Sequence, residues 1–380
     1  MGSKNVDLLL VCNVTNVAYL TGSASFDHSW TMQFSEAIAY PSIVIVPKAG
    51  QPILIVHDVF EGVLGQANAI RDIRKYYEKG QEEEQPYVEM IVKAVKELGS
   101  SSGTLAVELG AGYTTDPKLG MPIRGYLAIK DKLTNAKFVD NSEILRNVRM
   151  VKSNEELACI KKASEAIDKT FQICFETINE GITETEVVDV CNRIISENGA
   201  RPIWTLAQCS DYHKVLSPRA DIRLEKGKLL FLDLGAAFAG YQSDFNRMAV
   251  VGKASQAQKK SCQTIADITM ATAQSVKPGI RACDLTNICG SEYARLGLKP
   301  PPGLSGYGPN RKIGHGIGLQ LSEAPQITTY DRTVLQPGMT FCIEPEIVTA
   351  GGPYVTEQVV AVTEDGYEII SKADDQLYEI

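Results

Sequence analysis

Long apolar runs are missing from this 380-residue sequence. No stretch reaches the 18 or so consecutive apolar residues of a membrane-spanning helix. An excess of basic charge is missing as well. Lys and Arg number 38 against 46 Asp and Glu, a net charge of −8. That balance disfavours nucleic acid and anionic membrane as partners. Cysteine occurs nine times but never as a CxxC pair, which reads as reduced, buried thiols of a cytoplasmic protein. No signal-peptide pattern opens the sequence. Internal repeats and low-complexity tracts are absent too.

The length predicts two domains, and an apolar fraction of 44% is enough for genuine cores. The informative stretch is residues 229–244, LLFLDLGAAFAGYQSD. Residues 229–232 form a short apolar run, the mark of a buried strand. The run ends on Asp233. Small residues follow, then a second strand-like run over 241–251 with Asp244 near its start. A hairpin centred between Phe238 and Ala239 would set Asp233 directly opposite Asp244, on one face. Two carboxylates that close repel unless a positive charge lies between them. One of the acids facing solvent is the alternative, but the flanking residues are too apolar for an exposed loop.

A second stretch has the same design. Residues 341–348 read FCIEPEIV and 354–362 read YVTEQVVAV, separated by the turn signal TAGGP. A hairpin centred between Ala350 and Gly351 sets Glu344 opposite Glu357. Between the two hairpins stands His315, in GHGIGL. Four carboxylates and one imidazole suit a pair of divalent metal ions. Such a pair can share a water and make it a nucleophile at neutral pH.

In that order, Asp233, Asp244, His315, Glu344 and Glu357 resemble the five metal ligands of the M24 metallopeptidases. These are the Xaa-Pro aminopeptidases, prolidases and methionine aminopeptidases of the pita-bread fold. The motifs DLGA, SD-x-x-R and GHGIGL match in order and character, and the resemblance spans about residues 5–370. It implies an α/β creatinase-like N-terminal domain over 1–145. It further implies an α+β pita-bread catalytic domain with pseudo-two-fold symmetry over 146–380. Carried over position by position, Asp244 and Glu357 bridge the metals, Asp233 completes one site, and His315 and Glu344 complete the other. Glu344 also handles the proton of the attacking water. The implied cofactor is two divalent ions, from manganese, iron, cobalt or zinc.

Along the chain, residues 6–13, 39–46, 52–56 and 104–109 read as strands and 87–98 as an amphipathic helix. Residues 13–22 resemble the strand-and-turn signature of the creatinase-type domain. Residues 78–84 are a charge run that suits a solvated helix start. The connector lies near 142–153. Ser153 and Glu156 form a capping box that opens a helix reaching about residue 179. Further helices are expected over 184–198, 255–276 and 282–296. Two helices then a hairpin, twice over, is the internal pseudo-symmetry expected of a pita-bread half. Residues 299–311, rich in Pro and Gly, read equally as a substrate-lining loop or a plain connector. His57 reads as structural.

Several positions depart from the proline-specific members. Ser322 stands where they carry a second histidine. Leu216 stands at another histidine position, with His213 three residues away as a candidate for binding substrate. Val355 replaces an arginine, and Gln358 replaces an acid. The cage is whole, but the groups that hold a peptide differ, and Ser322 offers a neutral donor only. Three functions stay open: a metallohydrolase of Xaa-Pro bonds or related small amides; a same-fold metalloenzyme for a small non-peptide metabolite, by hydrolysis or elimination; and a binding module without catalysis. The expected partner is a short peptide or small molecule. A homodimer is expected from the resemblance and from the aromatic 26–30 loop, FDHSW, which contains His28 and Trp30 and would be exposed in a lone chain.

Overall fold

The structure is a computed structural model and describes residues 1, 5–22, 40–60, 69–77, 86–110, 120–140, 142–209, 217–299, 306–307 and 310–380. The chain divides into two compact units, Met1–Val148 and Arg149–Ile380. The charge run at 78–84, the 26–30 aromatics with His28 and Trp30, and His213 and Leu216 lie outside the described residues, as does most of the 299–311 loop. Among the described residues no helix is long and apolar enough to cross a membrane.

The first unit is a six-stranded sheet with helices. Its strands are β1 Leu8–Val11, β2 Ile43–Pro47, β3 Ile53–His57, β4 Asp72–Tyr76, β5 Thr104–Val107 and β6 Lys137–Asp140, in the order β4-β3-β2-β1-β5-β6. β1 is buried along its whole length, because it lies in mid-sheet with apolar clusters on both faces. Residues 13–22 differ from expectation. They form a helix, Val14–Thr21. The Asn13 side chain accepts hydrogen bonds from the Thr15 and Asn16 amides, and Gly22 closes the helix in the left-handed region at φ 68°.

The second unit begins with the helix Asn154–Thr177, whose Ser153–Glu156 capping box forms as expected. The helix Glu184–Glu197 follows behind a second capping box, Thr183–Glu186. β7 Arg201–Cys209, β8 Leu229–Phe238 and β9 Tyr241–Val250 then form an antiparallel sheet. The helices Gln256–Gln274 and Ala282–Arg295 come next. After the short β10 Gly306–Tyr307 come β11 Asn310–Gly316, β12 Glu323–Thr328, β13 Thr340–Ile343, β14 Glu346–Thr349, β15 Gly352–Val355, β16 Gln358–Val362, β17 Tyr367–Ile369 and β18 Tyr378–Glu379. The succession helix, helix, hairpin thus occurs twice, as the alternating signals predict.

Period-two alternation decides which face of this sheet becomes a core and which a site. Leu230, Leu232, Leu234 and Ala236 of β8 are buried with Ile167 and Phe171 of the first helix and Ile194 of the second. Each leucine contributes about 1.5–3 kcal/mol by leaving water. The intervening residues, among them Phe231 and Asp233, therefore face the opposite way. On β9, Phe245 and Ala249 belong to the same core, while Asp244 and Asn246 line a cavity with Asp233.

The register of this hairpin corrects the sequence reading. The turn is centred on Ala239 and Gly240, with φ values of 50° and 86°. Phe238 pairs with Tyr241, Asp233 with Asn246, and Asp244 with Gly235. The two aspartates are diagonal, not opposite. A two-residue turn with both central residues at positive φ suits strand twist, and alanine at the first position hides it from residue-type signals. Because the partner moves by two residues, both acids keep their common face.

Candidate metal centre

The second hairpin has the expected register, but its ladder is interrupted. β14 pairs with β15 from Glu346–Val355 to Thr349–Gly352. β13 pairs with β16 from Thr340–Ala361 to Ile343–Gln358. The two ladders belong to separate sheets, and Glu344 and Glu357 sit in the gap between them. Their backbones bond elsewhere. The Glu344 amide donates to the Ile313 carbonyl at 2.8 Å. The Glu357 carbonyl accepts from Arg247 Nη1 at 2.7 Å.

All five residues meet at one place. Single donor atoms of Asp233, Asp244 and Glu357 lie within 4.8 Å of one another, as do those of His315, Cys342 and Glu357. Glu357 is common to both groups. His315 Nε2 is 3.9 Å from Asp244 Oδ2 and 3.7 Å from Glu344 Oε1. Its Nδ1 is 3.1 Å from the Gly316 carbonyl. A carbonyl only accepts, so Nδ1 carries the proton and Nε2 turns a lone pair toward the acids.

The neighbours fix these carboxylates. Trp204 Nε1 donates to Asp233 Oδ2 at 2.9 Å. Asn246 Nδ2 donates to Glu357 Oε2 at 3.1 Å. Gly235 leaves room for Trp204, since a Cβ there would stand 2.8 Å from Trp204 Cβ. What remains unfilled is informative. Asp233 Oδ1, Asp244 Oδ1 and Glu357 Oε1 are buried without a hydrogen-bond partner. A buried carboxylate oxygen left so costs several kcal/mol unless a cation serves it.

The electrostatics agree. Burial, then the Glu344 charge, pushes the Asp233 carboxyl up. Burial and neighbouring carboxylates raise Asp244 and Glu357 well above the usual range. Burial raises Glu344, against the pull of Lys312. His315 is pushed down to about 4 by burial and by Lys312, so it is neutral at physiological pH and available as a ligand. This set fits divalent cations, being oxygen-rich with one imidazole.

The adjoining cavity holds about 290 Å³ and lies wholly within the second unit. Trp204, Leu206, Phe231, Leu321 and Val355 supply apolar walls, while Gln208, Lys312, Ser322 and Glu346 supply polar ones. Ser322 Oγ accepts from Gln326 Nε2 at 3.3 Å. Gln358 is turned away: its Oε1 accepts from Arg247 and Ser371. Of the described departures, Ser322 and Val355 therefore touch the cavity and Gln358 does not. The sequence reading missed Trp204, Lys312 and Cys342. Cys342 alone had a local signal, since it stands two residues before Glu344 in the strand-like run 341–348, a spacing that predicts a shared face.

Below Ser322 the wall is anchored by Glu323, which is buried and bonded to Arg149 Nη2 and, at 2.7 Å, to Lys152 Nζ. Burial alone would raise the Glu323 carboxyl, but Lys152 and Arg149 outweigh it and the net direction is down.

Comparisons with known proteins identify the family. Metallopeptidase family M24 matches residues 158–364, more than half of the chain. The Creatinase/Prolidase N-terminal domain matches residues 1–151. A Xaa-Pro dipeptidase of Pyrococcus horikoshii is 28% identical over 386 positions, covering 99% of this chain and 96% of the relative. A Xaa-Pro dipeptidase of Pyrococcus furiosus is 32% identical over 65% of this chain and 70% of its own length. Among solved structures, the prolidase of Thermococcus sibiricus superposes with a TM-score of 0.80 at 25% identity, covering 100% of this chain and 96% of that one. With a creatinase-like N-terminal domain ahead of a pita-bread domain, this chain belongs to metallopeptidase family M24.

Proposed function

We propose that this chain is a dinuclear-metal-dependent hydrolase of Xaa-Pro peptide bonds, with Asp233, Asp244, His315, Glu344 and Glu357 as ligands. The observation that carries this reading is that Glu357 lies close to Asp233 and Asp244 on one side and to His315 on the other, beside three buried carboxylate oxygens without partners. The relatives named Xaa-Pro dipeptidase support the substrate class. When bound, the ions supply a Lewis acid for the scissile carbonyl and acidify water toward neutrality.

The chain's own residues do the rest. These five residues would hold the ions, Asp244 and Glu357 as shared ligands, Asp233 completing one site, and His315 and Glu344 completing the other. A Glu344 carboxylate oxygen accepts the proton of the attacking water and returns it to the leaving nitrogen. Trp204, Phe231 and Val355 give a proline ring apolar walls and keep bulk water out. Ser322 Oγ is a neutral donor on the same wall. His213 stays a candidate for the substrate's surroundings. The comparisons lend nothing to the non-peptide alternative, and a binding module would have no use for so complete a ligand set.

Manganese, iron, cobalt and zinc are the ions that suit the donors. A cytoplasmic homodimer is the expected form, from the unpatterned cysteines, the resemblance and the 26–30 aromatics. Elemental analysis of protein purified without chelator, combined with turnover of a Xaa-Pro dipeptide panel, tests the proposal. Two ions per chain and turnover of those dipeptides are expected. A fully active protein free of metal would overturn it.

A further inference from the structure

One more charge faces this cavity, and a strand irregularity puts it there. In β11, Lys312 pairs with Thr328 and His315 with Gln326. Three steps along β11 thus match two along β12, so β11 holds one extra residue. In a regular strand, residues three apart point to opposite faces. The extra residue turns Lys312 and His315 to the same side, and both line the cavity. Gly314 permits the close packing, because a Cβ there would lie 1.9 Å from the Cys342 carbonyl oxygen.

Among the described residues Lys312 has no ion-pair partner. It lines the same cavity as Asp244, His315 and Glu344. Two dications would balance the four candidate ligand carboxylates, and an imidazole binds a cation in its neutral form. Among the described residues, Lys312 and Glu346 are the ionisable groups then left on the cavity wall. An ammonium beside apolar walls, with no partner of its own among the described residues, is a receptor for an anion.

We propose that Lys312 is a substrate-binding residue whose ammonium receives a carboxylate of the substrate, making the site selective for small substrates that end in a free acid over the same substrates amidated. The proposal rests on the Xaa-Pro reading above and names the group that Lys312 recognises. A carboxylate entering between Trp204, Leu206, Phe231 and Val355 loses its water, so a fixed cation there decides whether it can enter at all.

The test compares metal-loaded parent, Lys312→Met and Lys312→Arg on Ala-Pro and its C-terminal amide. Calorimetric titration with cyclopentanecarboxylate and cyclopentanecarboxamide runs alongside, and circular dichroism and metal content check each variant. The parent should favour the acid by roughly 10–100-fold in kcat/KM, the scale of one lost hydrogen bond to a charged group. In Lys312→Met the acid-to-amide ratio should fall toward one, through KM, and Lys312→Arg should restore most of it. A parent ratio below about threefold, which is under that scale, overturns the proposal. So does an equal loss on both substrates in Lys312→Met, which would place Lys312 in the reaction and not at the carboxylate. If neither peptide is turned over, the Xaa-Pro reading fails on its own. The calorimetric preference for carboxylate, present in the parent and lost in Lys312→Met, then still decides the role of Lys312. Should Lys312→Met not fold, the parent ratio and Lys312→Arg decide it.

Discussion

Trp204 Nε1 lies 2.9 Å from Asp233 Oδ2, so the residue that walls the cavity also holds a candidate ligand. One Asp233 oxygen is thereby occupied, and Oδ1 is the oxygen left without a partner. Trp204→Phe keeps the flat wall and removes the donor. We expect weaker metal binding by about 10–100-fold, the usual effect of losing a group that orients a metal ligand. Circular dichroism should be unchanged. Metal titration by calorimetry checks this, and affinity within twofold of the parent would show that the bond is incidental.

Asp244→Ala and Glu357→Ala should each abolish turnover while leaving the protein folded. Both are assigned as bridges, and Glu357 belongs to both donor groups. Activity within tenfold of the parent, against the losses of several orders expected when reacting groups act as a unit, would mean the ligands are misassigned.

Metal-free protein should lose stability as pH rises above 6.5. Asp233 is raised to about 7 in the folded chain, first by burial and then by the Glu344 charge. The unfolded chain releases that proton near 4. The folded chain therefore binds more protons between these values, and its stability falls as pH rises through them. Asp244, Glu344 and Glu357 act in the same direction. His315 opposes them, because its depressed folded value makes the unfolded chain the better proton binder, but only up to about 6.5. Calorimetric scans at pH 6.5, 7 and 8 with chelator should show a falling Tm, and saturating metal should remove the trend. A flat or rising Tm in chelator would refute the electrostatic account.

Glu323→Ala should destabilise the second unit by about 3–5 kcal/mol, since it leaves Arg149 and Lys152 buried without their acid. Urea unfolding followed by far-ultraviolet circular dichroism gives the value. A change under about 1 kcal/mol, the size of an exposed pair, would show that water replaces the carboxylate.

Much of the site was legible because it is written in short-range signals. Alternation over 229–233 and 341–344, small residues at the turns, and the spacing of Asp233 and Asp244 identify which acids share a face. The helix at Asn13 was also written locally, in its N-cap and in Gly22, but the resemblance of residues 13–22 to a strand-and-turn signature pointed to a strand instead. Trp204 and Lys312 could not be read this way. Trp204 meets Asp233 only through the pairing of β7 with β8, which sets Leu206 opposite Asp233. Lys312 reaches the cavity only through a one-residue irregularity that no residue type announces.

The break in the second hairpin has a dynamic consequence. Residues 346–355 form an arm joined to the β13–β16 sheet through the backbone that carries Glu344 and Glu357. The two ladders share no strand pairing across that gap, so we expect arm and sheet to open as separate units. An ion held by both glutamates would act as a rivet between them. Amide exchange in β14 and β15 would then report occupancy of the centre from several residues away, slow when it is filled and fast when it is stripped, while β13 and β16 keep one rate throughout.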